Sequence, residues 1–431
     1  RYTDDSTWDP DTGYMDEIED HERLTMNWKF KAYEDIEDAL DSVDFVFISI
    51  LPGTFDEMAS DVHTPEKYGI YQSVGDTSGP GGIIRALRTI PMMEEIALAI
   101  KKYSPNAWVI NYTNPMTLCM KTLYRVFPEI KAFGCCHEVF GTQNLLIDAL
   151  SDICGITDVK RDEIKVNPIS VNHFTWLTEA KYKNMDLFPI YKEFVAKYKD
   201  TGYNNLKEKN WMEQLEKDGV TDYFTANSMV RFDLFDKFGY IAAAGDRHLA
   251  EFCEGKWYLK DPETVKEWGF KLTPISWRKY NLVERLEKAE KLIKGEDQLE
   301  FKQSGEEGHN QIRALLGLCD LVTNVNIPNV GQIPNLPLGA VVETNAVFRS
   351  NSITPVMAGE VPASIYPMIS RACGLQEALN EAIANRDVEA IFCVFANDPL
   401  VTCSKDDARA LFKEMVENTK EYLKDYDLST L

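Results

Sequence analysis

Apolar and polar residues fall into alternating blocks through the first third of the chain. Asp44-Phe45-Val46-Phe47-Ile48-Ser49-Ile50 is a nearly unbroken apolar run that stops at Pro52-Gly53. Its length and β-branched content predict a strand buried on both faces, as in a parallel sheet. Met93, Ile96, Ala97 and Ile100 recur at helical spacing up to Tyr103, and Ser104-Pro105 closes that helix. Residues 107–110 predict a second strand. Thr113-Asn114-Pro115 reads as a helix start, with Pro at the first helical position and Thr or Asn capping. Residues 116–127 are the helix that follows, 131–135 a third strand and 141–150 another helix. This alternation predicts an α/β fold with a doubly wound, Rossmann-like parallel sheet.

From about Val166 the alternation fades. Residues 166–178 read as a strand containing Asn172-His173, residues 281–293 as a charged amphipathic helix, residues 340–349 as a strand, and residues 362–423 as mostly helical. The expected division is a nucleotide-binding domain over 1–165 and a C-terminal α+β domain over 166–431. No run nears the roughly 18 apolar residues of a membrane span.

Composition narrows the function classes. Against 46 Lys and Arg stand 69 Asp and Glu, a formal charge of −23, and such a mean field repels polyanions. Nucleic acid and anionic membranes are therefore excluded as expected partners, whereas a small anionic substrate in a local basic pocket is not. Nine cysteines, an odd number with no Cys-x-x-Cys pair, point to a reducing, cytoplasmic setting and not to a disulfide framework.

In doubly wound sheets ligands bind beyond the carboxyl ends of the strands. Here those ends hold small, polar or metal-binding residues at 49–53, 111–114 and 135–138. Of the six histidines, His137 follows Cys135-Cys136, His173 follows Asn172, and His248 closes Gly245-Asp246-Arg247-His248, which reads as a loop. His21, His63 and His309 read as surface or structural. Thiolate plus imidazole suits a first-row divalent ion with open positions, and adjacent cysteines seldom ligate one ion together. Taken alone, a Cys–His pair this far apart equally describes a buried thiol and a core histidine. Ser78-Gly79-Pro80-Gly81-Gly82, ahead of Arg85 and Arg88, reads either as a helix start facing an anion or as a plain turn with two solvated arginines. No Gly-x-Gly-x-x-Gly occurs.

Four segments in order resemble the family-4 glycoside hydrolases: Val74-Gly75-Asp76-Thr77-Ser78-Gly79-Pro80-Gly81-Gly82, Asn111-Tyr112-Thr113-Asn114-Pro115-Met116, Gly134-Cys135-Cys136-His137 and Val171-Asn172-His173-Phe174-Thr175-Trp176. The likeness runs from about Trp28 to the C-terminus. It is strongest to the α-galacturonidase branch at Ser49-Ile50-Leu51-Pro52-Gly53, at residues 134–142 and at residues 243–252. The resemblance implies NAD and a divalent metal, usually Mn²⁺, with Cys136 and His173 as metal ligands. It places Asn114, Asp76 and Asn172 against substrate and the cofactor against Ser49, Leu51, Pro52 and Asn111. It also implies a homodimer or homotetramer. The acid position of the phospho-glycosidase branch is here His137, either an acid or a hydrogen-bond partner. Asp246 and His248 are the alternatives for the base, Tyr240 having no firm match, and Arg247 is expected at the uronate carboxylate. Glu306, Glu307 and Glu343 are expected to be solvated or supporting groups.

The implied route is a named exception to the two-carboxylate rule. Hydride leaves C3 of the sugar for NAD, the metal acidifies the C2 proton, the aglycone leaves from C1, and water and hydride then return. Two departures stand out. Relatives begin with a strand and a glycine-rich turn for the NAD pyrophosphate, and that segment is expected to be absent here, not replaced. The sugar-phosphate arginine of the phospho-glycosidase branch falls on Met58, which disfavours a phosphorylated substrate. Alternatives are an α-galactosidase or 6-phospho-glycosidase of the same family and a 2-hydroxy-acid dehydrogenase. Such a dehydrogenase shares the fold but lacks the metal pair.

Overall fold

A computed structural model describes residues 7–8, 26–27, 31–203, 226–297, 306–429 and 431. A two-residue ladder, β1 (Thr7–Trp8) with β2 (Met26–Asn27), precedes the first helix, α1 (Ile36–Leu40). The apolar run at residue 45 becomes β3 (Phe45–Ile48). After it come α2 (Phe55–His63), α3 (Gly79–Tyr103), β4 (Trp108–Asn111), α4 (Met116–Val126), β5 (Lys131–Gly134) and α5 (Glu138–Cys154). Strands β3, β4 and β5 are parallel, and Ile48, Asn111 and Gly134 lie side by side in their register. Parallel neighbours need long crossovers, which the helices supply. Flush carboxyl ends are the result, and all three loops emerge at one level.

The sheet does not stop at residue 165. Strand β10 (Leu321–Pro328) joins β5 antiparallel through Asn326 and Gly134, and β11 (Val341–Arg349) and β12 (Ser352–Pro355) extend it. Gly134 makes this junction possible, since a Cβ there would sit 2.4 Å from the Met116 sulfur and 3.1 Å from Asn326 Cβ. A smaller sheet pairs β6 (Ile164–Ile169) with β7 (Trp176–Tyr182), flanked by β8 (Met185–Asp186) and β9 (Ile241–Ala242). The single strand expected over 166–178 is thus two strands and a turn, because Ser170 and His173 take left-handed φ values of 137° and 65°. Then follow α6 (Phe188–Tyr198), α7 (Met229–Phe238) and α8 (Asp246–Phe252). The expected loop at Asp246-Arg247-His248 is therefore the first turn of a helix. Further on, helices Ile275–Lys294, Tyr366–Ala384, Val388–Ala396 and Lys405–Thr419 agree with the helical patterns read there.

Helix α3 begins at Gly79, fourteen residues before the apolar periodicity made it visible. Its first half is buried all round, with Ile83, Ile84, Leu87 and Ile90 in the main core, so no stripe betrays it. The Ser78–Gly82 start is neither an open anion site nor a plain turn. The Gly79 N–H donates to Asp398 Oδ2 (3.1 Å) and the Gly81 N–H to Gln72 Oε1 (2.9 Å), so the protein fills its own helix terminus. Arg85 and Arg88 are buried, not solvated. Arg88 grips Asp61 through both guanidinium nitrogens, at 3.1 and 2.5 Å, and also donates to Thr419 Oγ1. Met58 lies in the small cluster packed on Ile275, in apolar surroundings.

Removing one partner of a buried ion pair leaves an uncompensated charge, at a cost of about 3–5 kcal/mol. Arg88→Met should lower the urea-unfolding free energy by that amount, and Arg88→Met with Asp61→Leu should recover much of it. A double variant as unstable as the single one would contradict this assignment.

Candidate active site

The three strand ends carry the expected residues to one place, with different fates. Beyond β3, Ser49 and Leu51 are exposed and Pro52 is buried, while exposed Phe47 stacks on Tyr112 with centroids 6.3 Å apart. At the end of β4 the Asn111 side chain is fully buried and consumed locally. It accepts the Thr113 N–H (3.1 Å) and donates to the Thr113 carbonyl (3.0 Å). The Asn114–Pro115 bond is cis and α4 starts at Met116 with no side-chain cap, so neither Thr113 nor Asn114 plays the expected capping part. Asn114 instead donates Nδ2 to Asp76 Oδ2 (3.2 Å). Beyond β5, Cys135 donates to Gln311, Cys136 is buried, and His137 is exposed with Nδ1 3.0 Å from Glu306 Oε1.

The turn between β6 and β7 reaches over these ends, tied to β11 by the Glu343 N–H on the Ser170 carbonyl (2.8 Å). It carries His173, whose ring stacks on that of His248 at 3.7 Å. Asp76, His173 and His248 each offer a ligand atom, all within 4.8 Å of one another. Among the described residues this is the one such group of three or more His, Cys, Asp or Glu. Cys136 stands outside it. The Thr77 hydroxyl donates its proton to Asp76 Oδ1 (2.7 Å), so at 2.9 Å it can only accept from His173 Nδ1. That fixes the tautomer and leaves the lone pair on Nε2, as metal-binding histidines require.

Burial and its neighbour His248 push the His173 imidazole down to about 3, so it is neutral at pH 7. Burial opposes ionisation of Asp76, but the imidazoles of His173 and His248, the Arg85 guanidinium and Thr77 hold its carboxyl well below the usual range. Burial, then Glu343 and Glu138, push the Cys136 thiol well above its ordinary value. Burial likewise works against Glu138, yet His248, His173, His137 and the Gly245 N–H (2.5 Å) bring it to about 2. The bond to Glu306 raises the proton affinity of His137.

These groups fit a divalent ion. A carboxylate and two imidazoles are a suitable donor set. His248 Nδ1, Asn114 Oδ1 and Asn172 Oδ1 are buried without a hydrogen-bond partner, as groups awaiting a ligand would be. A nucleotide has exposed Ser49 and Leu51 and the Phe47–Tyr112 surface to lie on, whereas the Asn111 side chain is already spent.

Other expected residues lie elsewhere. Asp246 is fully buried, and its Oδ1 accepts the Arg231 N–H in the first turn of α7 (3.1 Å), the work of a cap. Arg247 is buried and donates to the backbone carbonyls of Ser73 and Lys271 and to Thr273 Oγ1. Glu343, expected to be solvated or supporting, is fully buried. It accepts from Thr175 Oγ1 (2.5 Å) and Asn324 (2.8 Å) and lies 3.5 Å from Asn172 Nδ2. Glu307 is buried beside Arg161. His63 is structural, accepting the Ile275 N–H at Nε2 (3.2 Å), Tyr240 packs at the main core, and His21 lies outside the described residues. Thr77, Glu138 and Glu251 are polar groups around the cluster that the pattern left without a role. Recognising residues 246–252 as a helix would have found Glu251, one turn after Arg247 and three residues after His248.

The family description "Family 4 glycosyl hydrolase" matches residues 14–152, and "Family 4 glycosyl hydrolase C-terminal domain" matches residues 170–401. The chain is 59% identical over 396 residues to the alpha-galacturonidase of Thermoanaerobacterium saccharolyticum, covering 92% of this chain and 83% of that one. It is 49% identical over 390 residues to the alpha-galacturonidase of Bacillus subtilis, covering 90% and 84%. The crystal structure of B. subtilis lplD superimposes with a TM-score of 0.85 at 50% identity, covering 90% and 87%. A 6-phospho-alpha-glucosidase from gut microorganisms, solved with NAD and Mn²⁺, shares the fold at a TM-score of 0.69 and 20% identity, covering 90% and 83%.

The cluster's surroundings carry a pH signature. Burial lifts the Glu251 carboxyl to about 8 against bonds from Val74 and Gly75. The folded state therefore binds more protons than the unfolded one between about 4.5 and 8, and stability falls as pH rises through that window, by on the order of 1 kcal/mol per pH unit at most. Urea unfolding of metal-stripped protein should show a smaller loss from pH 5 to 8 in Glu251→Gln than in the unsubstituted chain. Parallel profiles would refute the raised value.

Proposed function

Since the chain belongs to glycoside hydrolase family 4, we propose that it is an α-galacturonidase, with α-glucuronides as the next substrate class. The observation that carries this reading is the likeness to α-galacturonidases over nine-tenths of the chain. The site geometry is in keeping with it. Met58 lies in the core at the position expected for a sugar-phosphate arginine, which favours an unphosphorylated sugar. Arg85 and Arg278, both within electrostatic reach of Asp76, give a net acidic protein two local cations for a uronate carboxylate.

Bound NAD would supply a reversible hydride acceptor and the divalent ion a Lewis acid. His173 Nε2, the Asp76 carboxylate and His248 would hold the ion. Cys136 is the further thiol ligand that the family resemblance implies, and it would have to lose the proton that burial now favours. Asn114 and Asn172 present unpaired side-chain oxygens beside the same space and would orient sugar hydroxyls. Ser49, Leu51 and Pro52 would line the nucleotide. His137 is exposed, and Glu306 favours its protonated form, so it would give its proton to the departing oxygen. His248, 3.7 Å from Glu138 Oε1, is then a ligand and not a free base.

Two measurements test this. In D₂O with NAD, Mn²⁺ and a thiol, proton NMR of an α-digalacturonide should show hydrolysis that needs both additives, with deuterium appearing at C2 of the released sugar. Hydrolysis without either additive would exclude this route, and net NADH accumulation would point to a dehydrogenase. For the ion, titrating Mn²⁺ into Asp76→Asn, His248→Ala and Cys136→Ser should show binding weakened in each by at least the roughly 10- to 100-fold that loss of a supporting partner costs. Loss in Cys136→Ser alone would reassign the site to the Cys136–His173 pair.

A further inference from the structure

Helix α8 meets the loop that precedes α3 through two side chains on one face. Arg247 and Glu251 stand four residues apart, so they project side by side, while His248 is turned about 100° from Arg247 toward the site. Glu251 Oε1 accepts two consecutive backbone N–H groups, from Val74 (2.7 Å) and Gly75 (2.9 Å). The Arg247 guanidinium takes the Ser73 carbonyl, and the Ser73 hydroxyl returns a bond to the Arg247 carbonyl (2.6 Å). At the far end of the loop, Ser78 Oγ donates to the Glu251 carbonyl (3.3 Å). Five bonds thus strap residues 73–78 to seven residues of helix, and all the atoms involved are buried or nearly so. Asp76 and Thr77 hang from the strapped segment. Gly75 allows the path, with φ at 68° and no room for a Cβ, which would lie 2.9 Å from Val62 Cγ2.

We propose that Arg247 and Glu251 are positioning residues that fix the loop bearing Asp76 onto the helix bearing His248, so that carboxylate and imidazole meet at one ion. This rests on the metal cluster proposed above. The Asp76 backbone reaches His248 by no short covalent path, so their spacing is set by the strap. It also assigns Arg247 to the loop carbonyls and leaves the substrate carboxylate to other cations. A loop held only by its chain ends would pay the ordering entropy each time the ion binds.

The test is Mn²⁺ binding by the loss of the free-ion EPR signal, in the complete chain without substrate, alongside thermal unfolding in EDTA. Glu251→Ala removes the acceptor of two buried N–H groups and should weaken Mn²⁺ binding about tenfold or more. Glu251→Gln retains an acceptor oxygen and should bind within about threefold of the unsubstituted chain, since the amide oxygen can take both bonds. Ser73→Ala and Ser78→Ala each remove one strap bond, should fold, and should weaken the ion measurably less than Glu251→Ala. They decide the matter if Glu251→Ala does not fold. Variants that unfold at lower temperature yet hold Mn²⁺ as tightly as before would overturn the strap, making these residues merely structural. An unsubstituted chain that holds no Mn²⁺, or an Asp76→Asn variant that holds it undiminished, would instead overturn the cluster, and the strap's purpose with it.

Discussion

Two imidazoles stacked 3.7 Å apart in a buried pocket set the terms for everything around them. A charged His173 ring is disfavoured there by burial and by the His248 ring beside it. Neutral, His173 keeps a basic lone pair, and neutral imidazole is the form that ligates metals. Asp76 and Glu138 beside them are half-buried, and both carboxyls are held below the usual range by the imidazoles together with the Arg85 guanidinium, the Thr77 hydroxyl and the Gly245 N–H. A divalent cation placed beside these two carboxylates would complete the charge balance.

The backbone architecture brings that arrangement about by making independent pieces end at one level. Parallel strands with flush carboxyl ends deliver Asn114 and the Cys135–Glu138 segment. The turn of the smaller sheet delivers His173 in a left-handed conformation. Helix α8 brings His248. The tie between the two sheets is polar: Glu343, on β11, binds Thr175 and Asn324 and approaches Asn172. A buried carboxyl without these donors would be costly, so its placement specifies one docking of the turn on the sheet. The loop before α3 is the remaining piece. Its first helical turn presses on Thr77 so closely that a Cβ on Gly82 would lie 2.5 Å from the Thr77 carbonyl carbon.

The chain's net charge does not describe every part of it. The chain as a whole is strongly acidic, yet buried Arg85 and nearby Arg278 sit beside Asp76 at the head of α3. Burial decides how strongly each charge acts. Surface carboxylates are screened by water and salt over about 8–10 Å, whereas the buried Arg85 guanidinium acts through a medium of lower dielectric.

Hydrophobic periodicity alone marked the strands of the parallel core: the apolar run at Phe45–Ile48, the strands at 107–110 and 131–135 and the helix at 116–127 stand where their pattern placed them, because burial dictates both pattern and structure, whereas α2 was not read from it. Among the motif residues, Asn114 and His137 were legible as chemistry at strand ends, His173 and His248 as histidines set beside other polar residues, and Asp76 only through the family resemblance. Tertiary structure decided how they are used. The first half of α3 is apolar all round, so it offers no stripe, and residues 246–252 are too short for a period to emerge. Which partner each polar group takes was beyond the sequence altogether. Asp246 caps another helix, Arg247 holds a loop and Glu251 binds two amides, because hydrogen bonds join residues 15 to 177 positions apart and linear spacing carries no record of them.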